Sequence, residues 1–208
     1  PLAEKTGLII PIGNWVIDEA CRQLREWHLQ GHTDWSMAVN LSTLQFEQPS
    51  LVKTVLDCLT RHSVPPGMLI LEVTETTAMS NPDESVRVLT ALTDAGVKAS
   101  IDDFGTGYSS LLYLKRLPAC ELKIDRAFVK ELSGESEDAT IVSAIIALAK
   151  TLNLKVVAEG VETAAQQTFL TELGCNTLQG YLLGKPITAQ AIMEQCQHGE
   201  MSPSRMQS

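Results

Sequence analysis

Basic residues are scarce in this chain. Its 208 residues include 16 Lys and Arg against 25 Asp and Glu, for a formal charge of -9. Proteins that follow a nucleic-acid backbone neutralise many phosphates with clustered Lys and Arg. No basic stripe of that kind is present, so polymeric nucleic acid is excluded as the expected ligand. A small anionic ligand stays open, because carboxylates clustered in a cleft can hold divalent cations that reverse the local charge.

Cysteine and histidine are also few and dispersed. The five cysteines lack the close pairs of zinc and redox motifs, so we interpret them as reduced thiols of a cytoplasmic protein. The four histidines fall on predicted helix surfaces or loops and are not expected to bind metal: His28, His32, His62 and His198.

Long apolar runs are absent as well. No run reaches the ~18 residues that cross a bilayer, and no secretory leader is recognisable. We therefore expect a cytoplasmic domain, whose parent protein is free to be membrane-anchored through other domains. The first residue is Pro1 rather than Met, which indicates a piece cut from a longer chain.

Strand-like and helical patterns alternate along the chain. Hydrophobic residues make up 44% of it, enough for one large core. The six predicted strands lie at 36–42, 68–75, 97–104, 120–125, 155–160 and 176–181. Apolar residues at helical spacing predict helices at 8–30, 49–62, 82–95, 138–152, 164–173 and 189–196, with a short one before Pro118. This alternation predicts parallel βα units.

Each predicted strand carries one polar side chain at or near its carboxyl end. These residues are Asn40, Glu72, Asp102, Lys123, Glu159 and Gln179. An open doubly wound sheet would collect such residues at one switch point, whereas a barrel brings every strand end to one mouth. Because all six strands contribute, we predict an α/β fold of the TIM-like (β/α) barrel type. Six strands are two short of closure, so the first strands are expected to be missing from this chain.

Three of these six residues are carboxylates, and Asp103 beside Asp102 adds a fourth, so the group would repel strongly without cations. The four are Glu72, Asp102, Asp103 and Glu159. Carboxylate oxygens and the Asn40 amide suit magnesium or manganese better than zinc. Two such ions about 3.5 to 4 Å apart form a phosphoryl-transfer site. The sequence therefore predicts two Mg²⁺ or Mn²⁺ ions.

Six short motifs stand in order, each on its own predicted strand. They are Asn40-Leu-Ser, Glu72-Val-Thr-Glu75, Asp102-Asp-Phe-Gly-Thr-Gly-Tyr-Ser-Ser110, Lys123-Ile-Asp-Arg126, Ala158-Glu-Gly-Val-Glu162 and Gln179-Gly-Tyr181. One such string is weak evidence, but six in this order closely resemble the EAL family of cyclic di-GMP phosphodiesterases. The resemblance spans about residues 2–186. It implies an EAL domain at 1–198 that lacks its N-terminal strands, followed by a polar tail at 199–208.

The resemblance implies a role for each matching metal-site residue. Asn40, Glu72 and Asp102 would bind the first ion. Asp102 would bridge to a second ion, which Asp103 and Glu159 would also hold. Glu159 has a further possible role as general base, although water activated between two metal ions hardly needs one.

The resemblance also assigns catalysis and substrate binding. Glu159, Lys123 and Asp103 are the expected catalytic residues, with Lys123 orienting the attacking water and stabilising the phosphate. Gln179 would line the substrate site. The expected lid comprises Gly105, Thr106, Gly107 and Tyr108, linked to a dimer interface and held by a hydrogen bond to Glu75.

The implied reaction is metal-dependent hydrolysis of cyclic di-GMP to linear pGpG, which lowers the second messenger and thereby regulates biofilm formation and motility. A homodimer is implied, as is a GGDEF or sensor domain in the parent chain. One departure matters: no Glu-Ala-Leu occurs in the 208 residues, although its Glu is a first-metal ligand in the family and its Leu and a nearby Arg help to seat the substrate. The alternative function is therefore a non-hydrolysing cyclic di-GMP receptor.

Structural explanations stay open for several of these side chains. Asn40 could cap a strand-to-helix turn, Asp102 and Asp103 could cap a helix, and Lys123 could be an exposed strand lysine. Gln179 could bond only to backbone, and Glu75 could be a solvated loop acid.

Overall fold

The structure, a computed structural model, describes residues 2–107, 111–132 and 136–197. Tyr108 of the expected lid and the expected tail at 199–208 lie outside the described residues. The chain divides into two compact units. The first contains the residues up to Ile101 together with Gly107–Cys120, and the second contains Asp102–Thr106 and the residues from Glu121 onward.

Six strands form one sheet within the described residues. They are β1 (Met37–Leu41), β2 (Leu69–Thr74), β3 (Lys98–Phe104), β4 (Glu121–Ile124), β5 (Lys155–Glu159) and β6 (Thr177–Gln179). The pairs β1–β2, β4–β5 and β5–β6 are parallel, and the strand order follows the sequence. A doubly wound sheet reverses its strand order, so this order favours the barrel topology.

The first unit packs its helices through apolar faces at helical spacing. Its helices are α1 (Leu2–Lys5), α2 (Ile9–Leu29), α3 (Thr43–Phe46), α4 (Leu51–His62), α5 (Glu75–Ser80), α6 (Pro82–Asp94) and α7 (Leu111–Leu114). Ile17, Cys21 and Leu24 are fully buried on one face of α2, which packs against α4. A short 3₁₀ helix, Pro66–Met68, precedes β2.

Two short helices of this unit follow strands that carry site residues. In α3, Ser42 and Gln45 form a capping box, and in α5 the Thr74 hydroxyl accepts a hydrogen bond from the Thr77 N–H. Sequence periodicity missed both helices, because four to six residues are too few to repeat an apolar pattern.

The described residues of the second unit form four helices besides β4, β5 and β6. They are α8 (Arg126–Lys130), α9 (Glu137–Thr151), α10 (Ala164–Glu172) and α11 (Ala189–Gln197). The buried face of α9 includes Val142, Ile146 and Ala149, and it packs against β4 and β5. The predicted α9 and α10 begin and end within one residue of the observed helices, whereas the five-residue α8 was not predicted.

Among the helices of the described residues, none combines the length and apolar character needed to span a membrane. The five cysteines are free thiols. The predicted surface position of one histidine is wrong: His28 is buried on α2, where its Nε2 lies 2.8 Å from the Trp35 carbonyl oxygen.

Candidate active site at the strand ends

An acidic cluster lies at the carboxyl ends of β3 and β5 in the second unit. It consists of Asp102, Asp103 and Glu159, each of which offers a carboxylate oxygen within 4.8 Å of the others. Asp102 is buried, and Asp103 and Glu159 are half-buried. Three carboxylates this close repel one another unless a positive charge lies among them.

That positive charge comes in part from Lys123. Its Nζ lies 2.6 Å from Glu159 Oε1 and 3.2 Å from Asp102 Oδ1, and only 4% of the residue is exposed. The interpretation of Lys123 as an exposed strand lysine is therefore wrong. A buried ammonium loses its hydration, and two charged partners at hydrogen-bonding distance offset that loss.

The pairing of β4, β5 and β6 brings the side chains of Lys123, Glu159 and Gln179 to one face of the sheet. Lys123 pairs with Val157 across β4–β5, and Glu159 pairs with Gln179 across β5–β6. Because residues two apart on a strand point the same way, Lys123, Glu159 and Gln179 share one face of the sheet. The sequence placed them at strand ends, and the pairing shows that they are neighbours.

Asp103 has a backbone conformation that is rare for a residue other than glycine. Its φ is +53°, in the left-handed region. Its N–H donates to Asp102 Oδ1 at 3.0 Å, and its carbonyl accepts from the Thr106 hydroxyl at 2.8 Å. After β3, the next helix in the described residues begins at Leu111, too far along the chain for Asp102 or Asp103 to cap it. They instead make a tight turn that aims both carboxylates into the cluster.

Burial raises the pKa of Asp103 from 3.8 to about 6, and the neighbouring carboxylates Asp102, Asp125 and Glu159 add to the effect. An acid protonates more readily where its charged form is desolvated and repelled. Bound cations would remove that repulsion, so the raised pKa describes the metal-free cluster.

We expect Asp103→Asn to stabilise the metal-free protein at about pH 8 and to lose this advantage as the pH falls from about 6 to 4. The folded-state pKa of Asp103 exceeds its unfolded value, so its charge lowers the unfolding free energy above pH 6 and not below pH 4. Asparagine removes the charge and tolerates a positive φ. Urea denaturation in EDTA at about pH 8 and about pH 4 measures the difference in unfolding free energy between variant and wild type. An equal difference at both pH values would contradict the prediction.

A cavity of about 210 Å³ opens beside Glu159 in the second unit. Gln179 lines it from the end of β6, and its carbonyl accepts a hydrogen bond from the Val161 N–H at 3.0 Å. The remaining wall residues are Arg126, Lys130, Gly160, Glu162, Gly180 and Tyr181. The Gln179 side chain is exposed, so it is available to a ligand as well as held by its backbone.

Arg126 and Lys130 were not among the residues predicted from the sequence. They lie four residues apart on α8 and line the cavity that Glu159 and Gln179 also line. A signal was present in the Lys123-Ile-Asp-Arg126 motif, because Asp125 is a strong helix-capping residue and its side chain accepts from the Ala127 N–H.

In the first unit, Asn40 and Glu72 are direct neighbours across β1–β2. Partners in a parallel register point to the same face, so their side chains lie side by side at the strand ends. Glu72 is buried and Asn40 is exposed. The helix that follows β1 is capped by Ser42, not by Asn40, so the capping interpretation of Asn40 is wrong.

Glu75 is a buried acid that contacts the expected lid. It is 2% exposed, and its Oε2 accepts a hydrogen bond from the Gly107 N–H at 3.3 Å. A Cβ on Gly107 would lie 3.1 Å from Glu75 Oε1, so the glycine allows this close approach. Glu75 is therefore not a solvated loop acid.

Gly105 of the expected lid needs to be glycine for two reasons. Its φ is +100°, and a Cβ there would lie 2.8 Å from the Phe128 ring. Thr106 and Gly107 are exposed. The loop thus begins from a fixed turn beside the acidic cluster.

The acidic cluster suits a hard divalent cation. Its donors are carboxylate oxygens only, and neither histidine nor cysteine joins them among the described residues. Oxygen-only donor sets favour magnesium or manganese over zinc. The side chains present therefore fit the expected metal.

The sequence matches the EAL domain family over residues 1–186. It is 65% identical over 193 residues to the bifunctional diguanylate cyclase/cyclic di-GMP phosphodiesterase MucR of Pseudomonas aeruginosa, and 46% identical over 193 residues to the cyclic di-GMP phosphodiesterase NbdA of the same organism. Each match covers 93% of this chain. The chain spans only 28% and 25% of these relatives.

The fold agrees with solved structures. The PaMucR phosphodiesterase in complex with c-di-GMP superposes with a TM-score of 0.90 at 66% identity, covering 92% of this chain and 78% of that one. The manganese/cy-diGMP complex of Klebsiella pneumoniae BlrP1 has a TM-score of 0.67 at 34% identity, covering 74% of this chain and 40% of that one. The predicted α/β fold of the TIM-like EAL type is confirmed. This chain belongs to the EAL domain family.

Proposed function

We propose that this domain hydrolyses cyclic di-GMP by attack of water on one phosphodiester, giving linear pGpG. The observation that carries the proposal is the acidic cluster with Lys123 at 2.6 Å from Glu159 and 3.2 Å from Asp102. Relatives whose names include cyclic di-GMP phosphodiesterase, and a similar structure in complex with c-di-GMP, support the same substrate.

The proposed cofactor is a pair of Mg²⁺ or Mn²⁺ ions. Asp102, Asp103 and Glu159 are the residues that would hold metal in the second unit, and the BlrP1 complex with manganese supports this donor chemistry. The chemistry that such ions would supply is activation of a water and neutralisation of phosphate charge. The assignment of Asn40 and Glu72 to the first ion stays a proposal that rests on the family resemblance.

Lys123 is proposed to stabilise charge that develops on the phosphate. Its ammonium has three donors, and two of them face Glu159 and Asp102. A rigid, buried cation needs little rearrangement as the phosphate gains charge, which favours the transition state over the bound substrate. The carboxylates also fix the position of Nζ, so it can orient the attacking water.

Gln179 and the lid are proposed to position the substrate. Gln179 lines the cavity beside Glu159 and offers an amide that both donates and accepts hydrogen bonds. The Glu75 carboxylate holds the Gly107 backbone, which limits the positions available to the start of the lid.

The test is hydrolysis by the protein in its full natural length. We expect pGpG to form from cyclic di-GMP with Mg²⁺ or Mn²⁺, and excess EDTA to stop its formation. Chromatography of the nucleotide products measures it. Tight binding of cyclic di-GMP without pGpG would contradict the hydrolase proposal and favour the receptor alternative.

The parent protein is proposed to carry further domains. MucR is named as bifunctional, with a diguanylate cyclase activity, and this chain spans 28% of it. A GGDEF or sensor domain therefore stays the expected companion. Homodimerisation and a role in biofilm formation and motility are likewise proposals from the family resemblance.

A further inference from the structure

Acidic and basic residues both line the cavity beside Glu159. The acidic residues are Glu159 and Glu162, and the basic residues are Arg126 and Lys130. The two cations are four residues apart on α8, so they share one face of that helix. The acidic cluster accounts for Glu159, but nothing in the hydrolysis step described above uses the two cations.

Three contacts hold α8 in this position. The Gln166 Nε2 donates to the Val129 carbonyl at 2.9 Å and to the Lys130 carbonyl at 3.2 Å. Gly160, next to Glu159, approaches Arg126 so closely that an added Cβ would lie 2.6 Å from the Arg126 Cβ. The backbone and Cβ of Arg126 are thus held against the loop that follows Glu159.

Neither cation is used in an ion pair within the described part of the chain. By contrast, four other arginines are each paired with a carboxylate: Arg22, Arg61, Arg87 and Arg116. In a chain with a formal charge of -9, carboxylates are abundant, yet Arg126 faces a cavity instead. Its guanidinium remains available to an anion.

We propose that Arg126 and Lys130 form a subsite for the second phosphodiester of the substrate, the one that is not cleaved. The inference rests on the proposed function, because a cyclic dinucleotide carries two phosphodiesters and the acidic cluster engages one. The other would bring its negative charge close to Glu159 and Glu162. A guanidinium binds phosphate oxygens in pairs, and Lys130 adds a second positive charge one turn along the helix.

This subsite makes substrate binding depend on a second phosphate. A substrate with a single phosphodiester reaches the acidic cluster without using Arg126 or Lys130. Removing the two cations should therefore weaken the binding of cyclic di-GMP and leave the chemical step almost unchanged.

The test compares the full-length protein with its Arg126→Gln/Lys130→Gln variant on two substrates. We expect KM for cyclic di-GMP to rise by roughly tenfold or more and kcat to change by less than about threefold. The kcat/KM for bis(p-nitrophenyl) phosphate, which has one phosphodiester, should stay unchanged. KM of the variant should also depend less on salt, because fewer phosphate contacts are screened.

The matched control is Lys98→Gln/Lys155→Gln, which makes the same change in net charge at the amino ends of β3 and β5. We expect this control to leave KM and kcat for cyclic di-GMP, and kcat/KM for bis(p-nitrophenyl) phosphate, unchanged. A variant KM equal to that of the control would overturn the subsite, as would an equal loss on both substrates. A raised KM with unchanged salt dependence would indicate a contact with the base and would overturn the phosphate assignment.

The subsite can still be tested if the proposed hydrolase function is wrong. If the wild-type protein hydrolyses neither substrate, calorimetric titration with cyclic di-GMP replaces KM as the measurement. A dissociation constant raised roughly tenfold in the variant, but not in the control, would still support the subsite. An unchanged dissociation constant would overturn it.

Discussion

Replacing Glu159 by glutamine is expected to lower kcat for cyclic di-GMP by roughly 10² to 10⁴-fold. The amide keeps the size of the side chain but removes a charge that belongs to the acidic cluster and that lies 2.6 Å from Lys123 Nζ. We expect the loss to come from weaker metal binding and from a displaced Lys123 ammonium, the two features proposed to act on the reacting phosphate. Substrate binding draws on more contacts than the chemical step, so the dissociation constant should change by only a few-fold.

Steady-state hydrolysis and calorimetric titration of Glu159→Gln separate these two effects. The control is Glu172→Gln, the same substitution at an exposed position that ends α10. We expect the control to match the wild type in both measurements. Wild-type turnover by Glu159→Gln would remove this carboxylate from the mechanism.

Replacing Lys123 by methionine is expected to cost about 3 kcal/mol of unfolding free energy in the metal-free protein, because it leaves the buried Asp102 and the half-buried Glu159 without their shared cation. Methionine has a similar length and no charge. Added Mn²⁺ should restore part of the loss, since metal ions supply the missing positive charge. The rise in Tm on adding Mn²⁺ should therefore be larger for the variant than for the wild type.

The same variant should retain little activity even with Mn²⁺, with kcat reduced by about 10²-fold or more. Thermal unfolding in EDTA and in Mn²⁺, together with hydrolysis rates, measures both effects. Lys155→Met is the matched control, a strand lysine that is exposed at the start of β5. A Lys123→Met protein as stable as this control in EDTA would show that the ion pairs with Asp102 and Glu159 contribute little.

The positions of the strands and long helices could be predicted from the sequence. Apolar runs bounded by turn residues, followed by apolar residues at helical spacing, define βα units whatever the tertiary contacts are. Glu159 and Gln179, for example, end β5 and β6 as expected. The short helices α3, α5 and α8 escaped prediction because one turn does not repeat a pattern.

The chemistry of individual side chains was harder to predict. From the sequence alone, Lys123 and Glu75 could each have been exposed to solvent. In the structure both are buried: Lys123 contacts charged side chains, and Glu75 accepts a hydrogen bond from the backbone. Burial depends on which distant segment packs above a residue, and local periodicity carries no information about that. The same holds for Arg126, whose position depends on Gly160, more than thirty residues away.

The sequence by itself determined the order of the βα units and the polar residue at each strand end, because backbone periodicity and residue type are local properties. Only the tertiary structure decided which of those residues meet. Strand register joined Glu159 with Gln179, and packing placed the Lys123 ammonium between Asp102 and Glu159. Electrostatic interactions depend on distances of a few ångströms between groups far apart in the chain, and folding alone sets those distances.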